Sequence, residues 1–346
     1  MRLSRAIVPL VVASLSLTAC GGSDDKKSDD SSPQKVASGT TLDSTWPLTG
    51  LKVTGDQSAA QRHPVYIAKI DNTEASNPQY GLGSADMVTQ ELVEGGITRL
   101  AVFFYSRLPH KVGPIRSMRL TDIGVAKPLG ARLVTSGAAP VTLNGLKKAG
   151  VKFIDMSNPN VRRIPDGSHD SLHSVKADLS KLGASAGQKT ATRPHDFFQW
   201  GTDADFKGTV PAKTVTTKIG NAPGSDDIWK FTGGKYVLQD GYMDPKSVFK
   251  PDTVIALTVK TTIAPYRDPA GNPVPVSHFE GKGKGVIFHD GKALRVRWSK
   301  KGVKGLPTFT TPAGQTVKVP AGHVWLALVP KGGQSVSSGA ITWTKR

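Results

Sequence analysis

The sequence predicts an α+β protein: an N-terminal α/β, sandwich-like domain over residues 46–186, followed by a mainly β domain over residues 187–346. Three observations carry this. Up to about residue 186, strand-like apolar runs alternate with helix-like stretches, the pattern of helices packed on a sheet. Beyond that point helical signals stop, and short β-rich runs punctuated by turn residues take over. Third, 38% apolar and 21% charged residues in a chain of 346 suit a folded protein with two domains of ordinary size.

The first 45 residues belong to neither domain. Arg2 and Arg5 precede an apolar run over 6–17, too short to span a bilayer stably but typical of an export signal. Leu17-Thr18-Ala19-Cys20 resembles the bacterial lipobox, which implies a signal peptide over 1–19 and lipid on the Cys20 thiol. Cys20 is the sole cysteine, so no intrachain disulfide can form. Residues 20–45 are rich in Ser, Asp, Gly and Lys and cannot bury a core, so they read as a flexible tether. The expected location is the extracytoplasmic face of the cell membrane, lipid-anchored through Cys20.

Along the folded chain, 65–70 reads as a strand ending at Asp71-Asn72. Residues 87–93 and 97–105 flank Glu94-Gly95-Gly96 and read as a hairpin, since Gly-Gly suits the positive φ of a tight turn. A helix from Ala85 stopped by the same glycines competes with that reading. A helix over 120–129, a strand over 131–135, a helix over 141–148, a strand over 151–156 and a helix over 174–182 complete the first domain. In the second, strands are expected over 214–219, 228–231, 235–239, 254–261, 285–289, 293–298 and 324–329.

Charge gathers between Ala85 and Arg119. Asp71, Asn72, Glu91, Glu94, Thr98, Arg99, Arg116, Ser117 and Arg119, with His169 from a later loop, form the candidate polar or anion-binding site. If the hairpin holds, Glu91 and Arg99 face each other across it and can pair. Arg116 and Arg119 offer planar forks for a carboxylate or phosphate. The competing reading is a salt-bridge network that pins loops to the sheet. Unpaired carboxylates in a deep cleft would mark an enzyme, and carboxylates already paired would mark a binding or scaffold protein.

Other motifs are incomplete. His169 and His173 stand at i, i+4, but the glutamate of H-E-x-x-H is absent and Pro165-Asp166-Gly167 opposes a helix there. Neither Ser117 nor Ser136 sits in a G-x-S-x-G elbow. Gly281-Lys282-Gly283-Lys284-Gly285 lacks P-loop spacing and reads as a flexible basic turn. Trp298 and Trp325 read as core. No metal or cofactor is expected, and no catalytic residue is assigned.

The quoted stretches carry a resemblance. Pro47-Leu48-Thr49-Gly50, Glu94-Gly95-Gly96-Ile97-Thr98-Arg99, Val112-Gly113-Pro114-Ile115-Arg116-Ser117-Met118-Arg119 and His323-Val324-Trp325-Leu326 are similar to the YerB-like family of bacterial lipoproteins, a domain of unknown function in N- and C-terminal parts. That resemblance implies an α/β part followed by a β part and brings no activity with it. The formal charge of +18 favours anionic partners. From residue 246 onward sixteen Lys and Arg face four acids, a net +12. With export, the partners expected are membrane lipid at Cys20 and an anionic wall polymer or envelope protein, rather than nucleic acid. The function expected is a non-catalytic binding or scaffold lipoprotein of the envelope, the alternative a cell-envelope hydrolase with a Glu/Arg site.

Overall fold

The computed structural model describes residues 44–333 and 336–345. They lie in one compact unit, 36–346, whose cores are built entirely from its own residues. The signal peptide, Cys20 and nearly all of the tether lie outside the described residues. Strands dominate, at 41% against 12% helix, so the molecule is mostly β with few helices.

The elements that position the site are β1 (Tyr66–Asn72), β2 (Met87–Leu92), β3 (Thr98–Phe104), β4 (Arg132–Val134), β5 (Lys152–Ile154), β6 (Thr253–Arg267), β7 (Pro273–His278), β8 (Gly281–His289), β9 (Lys292–Lys300) and β10 (Val324–Pro330), with helices α1 (Asp122–Ala126), α2 (Pro140–Lys148) and α3 (Leu179–Ala184). The expected hairpin is present, and β2 and β3 pair antiparallel with Glu91 opposite Arg99. One thirteen-stranded sheet runs β9-β8-β6-β10-β2-β3-β1-β4-β5, with short strands extending it beyond β9 and β7 pairing with β6. Strand β10 lies parallel to both β6 and β2. All seven of its residues, VWLALVP, are buried, the continuous apolar run that a central parallel strand requires. The sheet therefore takes strands from both sides of residue 187.

Each face of the sheet has its own core, as the two-residue period of a strand dictates. On one face Ile67, Met87, Phe103, Leu133 and Leu326 meet Val125 of α1 and Leu146 of α2. On the other, Ala68, Val88, Val102 and Trp325 meet Leu179 and Leu182 of α3, together with Val215 and Trp229 of a separate four-stranded sheet. Trp298 and Trp325 are core, as their sequence context predicts.

Two expectations are corrected. The helix over 174–182 is instead a strand, Val175–Ala177, followed by α3. Its backbone is claimed from both sides, by Val161–Arg163 and by bonds to Val112 and Ile115, so tertiary pairing overrides the helical spacing. Asp178 then caps α3 by accepting from Lys181 N at 2.9 Å. The stretch read as a flexible turn, 281–285, is the first half of β8. A Cβ on Gly283 would come within 2.5 Å of the Trp298 indole nitrogen, so glycine there admits the tryptophan from the next strand. The alternation is that of a strand with lysines outside and hydrogens inside.

Candidate functional site

Parity explains the charge in the hairpin region. Lys69, Asp71, Glu91 and Arg99 share the face that carries Ile67, Met87 and Phe103, and they occupy its end nearest the turn. Lys69, fully buried, donates to Glu91 Oε1 at 2.6 Å and to Asp122 Oδ1 at 2.7 Å. Asp122 Oδ2 accepts from Arg119 N at 2.7 Å, which ties the start of α1 to the loop before it. Register places Glu91 opposite Arg99, yet the predicted pair does not form. Glu91 is taken by Lys69, while Arg99 donates to Ser117 O at 3.1 Å and approaches Glu94 at 3.5 Å. Glu91 Oε2 and Arg99 Nε make no hydrogen bond. Burial pushes the Glu91 carboxyl up against the pull of Lys69. Burial, with Arg119 nearby, brings the Arg99 guanidinium down to about 10.

Glu94, Arg116, Ser117 and Arg119 reach a common cleft of about 610 Å³. It opens beside the carboxyl ends of the parallel strands β4 and β5, a usual place for ligands in such sheets. Ser136 and Ala139 follow β4, Met156 follows β5, and residues 266–270 arch over from the end of β6. Arg163 and Arg267 also line the cleft, making four arginines against Glu94 and Asp268.

The carboxylates here are occupied. Glu94 Oε2 accepts from Arg119 Nε at 2.8 Å and Oε1 from Arg119 Nη2. Desolvation raises its pKa, but the hydrogen bonds from Arg119 and the charges of Arg99 and Arg119 outweigh it and bring the carboxyl down to about 2. Asp71 accepts from Thr73 N at 3.0 Å and pairs with Arg116 Nε at 3.1 Å. Asp268 holds Asn272 through both oxygens. The guanidiniums of Arg163 and Arg267 bond only to the backbone carbonyls of Ser171 and Gly271, and form no ion pair among the described residues. Such an arrangement can hold an anion, and among the described residues the two carboxylates that line the cleft, Glu94 and Asp268, are both already hydrogen-bonded.

The remaining predicted residues lie elsewhere. Asn72 and Thr98 project from the opposite face, where Asn72 Nδ2 donates to Thr98 Oγ1 at 2.8 Å and Gln90 links that oxygen to the Trp325 indole. His169 belongs to another loop, with Nδ1 3.0 Å from Asp166 and Nε2 3.2 Å from Ser76 O. His173 faces its own partner, Asp170, at 2.9 Å, so the two histidines do not converge. Lys69, Asp122, Arg163 and Arg267 were not singled out from the sequence. A lysine within V-Y-I-A-K-I, at the same parity as Asp71, was the available signal for the first of them.

A mixed sheet shared by two sequence segments, with an arginine-lined cleft at one end, defines a β-rich protein in two family parts. The chain belongs to the YerB-like family: residues 48–192 match the "Protein of unknown function (DUF3048) N-terminal domain" and residues 219–326 match its C-terminal domain. It is 28% identical over 313 residues to the "Putative lipoprotein YerB" of Bacillus subtilis (strain 168), covering 82% of this chain and 86% of that protein. Its fold is similar to the crystal structure of the YerB protein from Bacillus subtilis, with a TM-score of 0.67 at 19% identity over 86% of this chain and 99% of that one.

Proposed function

We propose that this protein is a lipoprotein of the cell envelope, held at the extracytoplasmic face of the membrane by lipid on Cys20, that binds rather than transforms its ligand. The cleft takes an anionic group of an envelope component, a wall polymer or a protein of the wall-synthesis machinery. One observation carries this: four arginines line a cleft whose carboxylates are already engaged. Arginine forks match the oxygens of phosphate and carboxylate groups. The lipobox-like run before Cys20 and the described lipoprotein relative support the anchor.

Purified wall sacculi and detergent-solubilised membrane proteins, each incubated with the protein, test the reading. Retention on one of them at physiological salt is expected, falling as salt rises because exposed charges are screened over about 8 Å at that ionic strength. The double variant Arg163→Ala/Arg267→Ala is expected to lose roughly tenfold in retention, the scale of one charged hydrogen bond. Retention equal to that of the unsubstituted protein would refute the role given to the cleft.

A further inference from the structure

The cleft is not uniformly polar. Among the described residues six large apolar side chains are exposed: Leu51, Val141, Met156, Ile164, Leu172 and Val210. Scattered singly, such residues need no explanation. Here Met156 and Leu172 line the arginine cleft itself, at 39% and 59% exposure. Further in, the apolar lining continues with buried Val175 and Val274. Two of the six exposed apolar side chains thus lie in the arginine cleft, and a small hydrophilic anion would leave their surface wet.

The charged side is equally selective. Arg116, Arg163 and Arg267 enter from three separate segments, and each spends one arm on a backbone carbonyl. Arg116 also turns its Nε to Asp71, which leaves its Nη2 toward the cleft, while Arg163 and Arg267 form no ion pair among the described residues. A carboxylate fills one guanidinium fork, whereas a phosphate presents oxygens in several directions and can meet several forks together.

Building on the anion-binding reading above, we propose that the ligand is amphipathic: a phosphate group carried on an apolar chain, with the phosphate among Arg116, Arg163 and Arg267 and the chain lying over Leu172 and Met156. A protein tethered at a membrane surface would meet such molecules by their headgroups.

The test uses residues 36–346, the compact unit, titrated calorimetrically with ethyl phosphate, decyl phosphate and decanoate below their micelle concentrations. Decyl phosphate is expected to bind at least tenfold tighter than ethyl phosphate, since burying one methylene is worth roughly fourfold. The double variant Met156→Ser/Leu172→Ser, altered only at exposed side chains, should reduce that ratio below threefold. Equal binding of the two phosphates overturns the amphipathic ligand and leaves the anion reading standing. Decanoate binding as tightly as decyl phosphate overturns the choice of phosphate. If no ligand binds, the anion reading fails and this inference with it. A tenfold ratio that persists in the Met156→Ser/Leu172→Ser protein places the chain elsewhere and also overturns it.

Discussion

Glu94 stands between two arginines, and its ionisation should be visible in stability. Its folded pKa of about 2 lies below the 4.5 of an unperturbed glutamate. A depressed carboxyl contributes stability that is fully present above the unfolded pKa and is lost as pH falls toward the folded one. The window is therefore from about 4.5 down to about 2. Glu94→Gln leaves Arg119 and Arg99 without their carboxylate and is expected to cost about 2–4 kcal/mol at pH 7, somewhat below the cost of breaking a fully buried pair. Urea denaturation at a series of pH values should show this deficit shrinking through that window, and a constant deficit would contradict the assigned pairing. The sequence made Glu94, Arg116 and Arg119 legible because all three lie within one short charged stretch. It misassigned Arg99, because Glu91's stronger partner, Lys69, arrives from another strand and Asp122 from a helix beyond it. Register can be counted along a hairpin; competition from a third strand cannot.

Among the elements, β8 is the one most misread from its residues. Gly281, Gly283 and Gly285 look like loop glycines, yet their spacing of two is the strand period, and β8 pairs with β9 along its whole length. Trp298 crosses beneath Gly283 to donate to Thr258 O at 3.2 Å. A methyl group at Gly283 would meet both partners, at 2.5 and 2.6 Å, so the indole must move and lose its bond. Gly283→Ala is accordingly expected to destabilise by about 1–3 kcal/mol, the range for overpacking a filled site. Thermal unfolding against the outward-facing control Lys282→Ala checks this, and equal melting temperatures for the two would remove the packing argument. The strand over 293–298 was legible from its alternation, and that over 254–261 from its β-rich apolar run. The strand Val175–Ala177 was not, because three residues carry too little periodicity and its bonds go to Val112, Ile115 and Val161–Arg163.

Across the whole molecule, the decisive contact joins parts of the chain far apart in sequence. Met87 of β2 lies opposite Val324 of β10, and Thr253 of β6 flanks the same residue on its other side. Without β10, β2 and β6 would each present an unpaired edge. No local pattern announces this partnership: VWLALVP says that a strand is buried, and nothing in it says between which neighbours. The consequence is mechanical coupling of the two family segments. Leu326 is fully buried, with Ile255 opposite it on β6 and Thr89 on β2. Leu326→Ala removes packing from both sides at once and is expected to cost about 2–5 kcal/mol, as a buried Leu→Ala change does. Because the sheet is continuous, that loss should be felt equally at Ala68 in β1 and Ile287 in β8, although neither pairs with β10. Native-state hydrogen exchange reads both amides in one experiment. Equal loss of protection at the two sites is the expected result, since amides exposed only by global unfolding report the same free energy. If Ile287 loses protection while Ala68 keeps it, the two segments unfold separately and β10 is not the element that unites them.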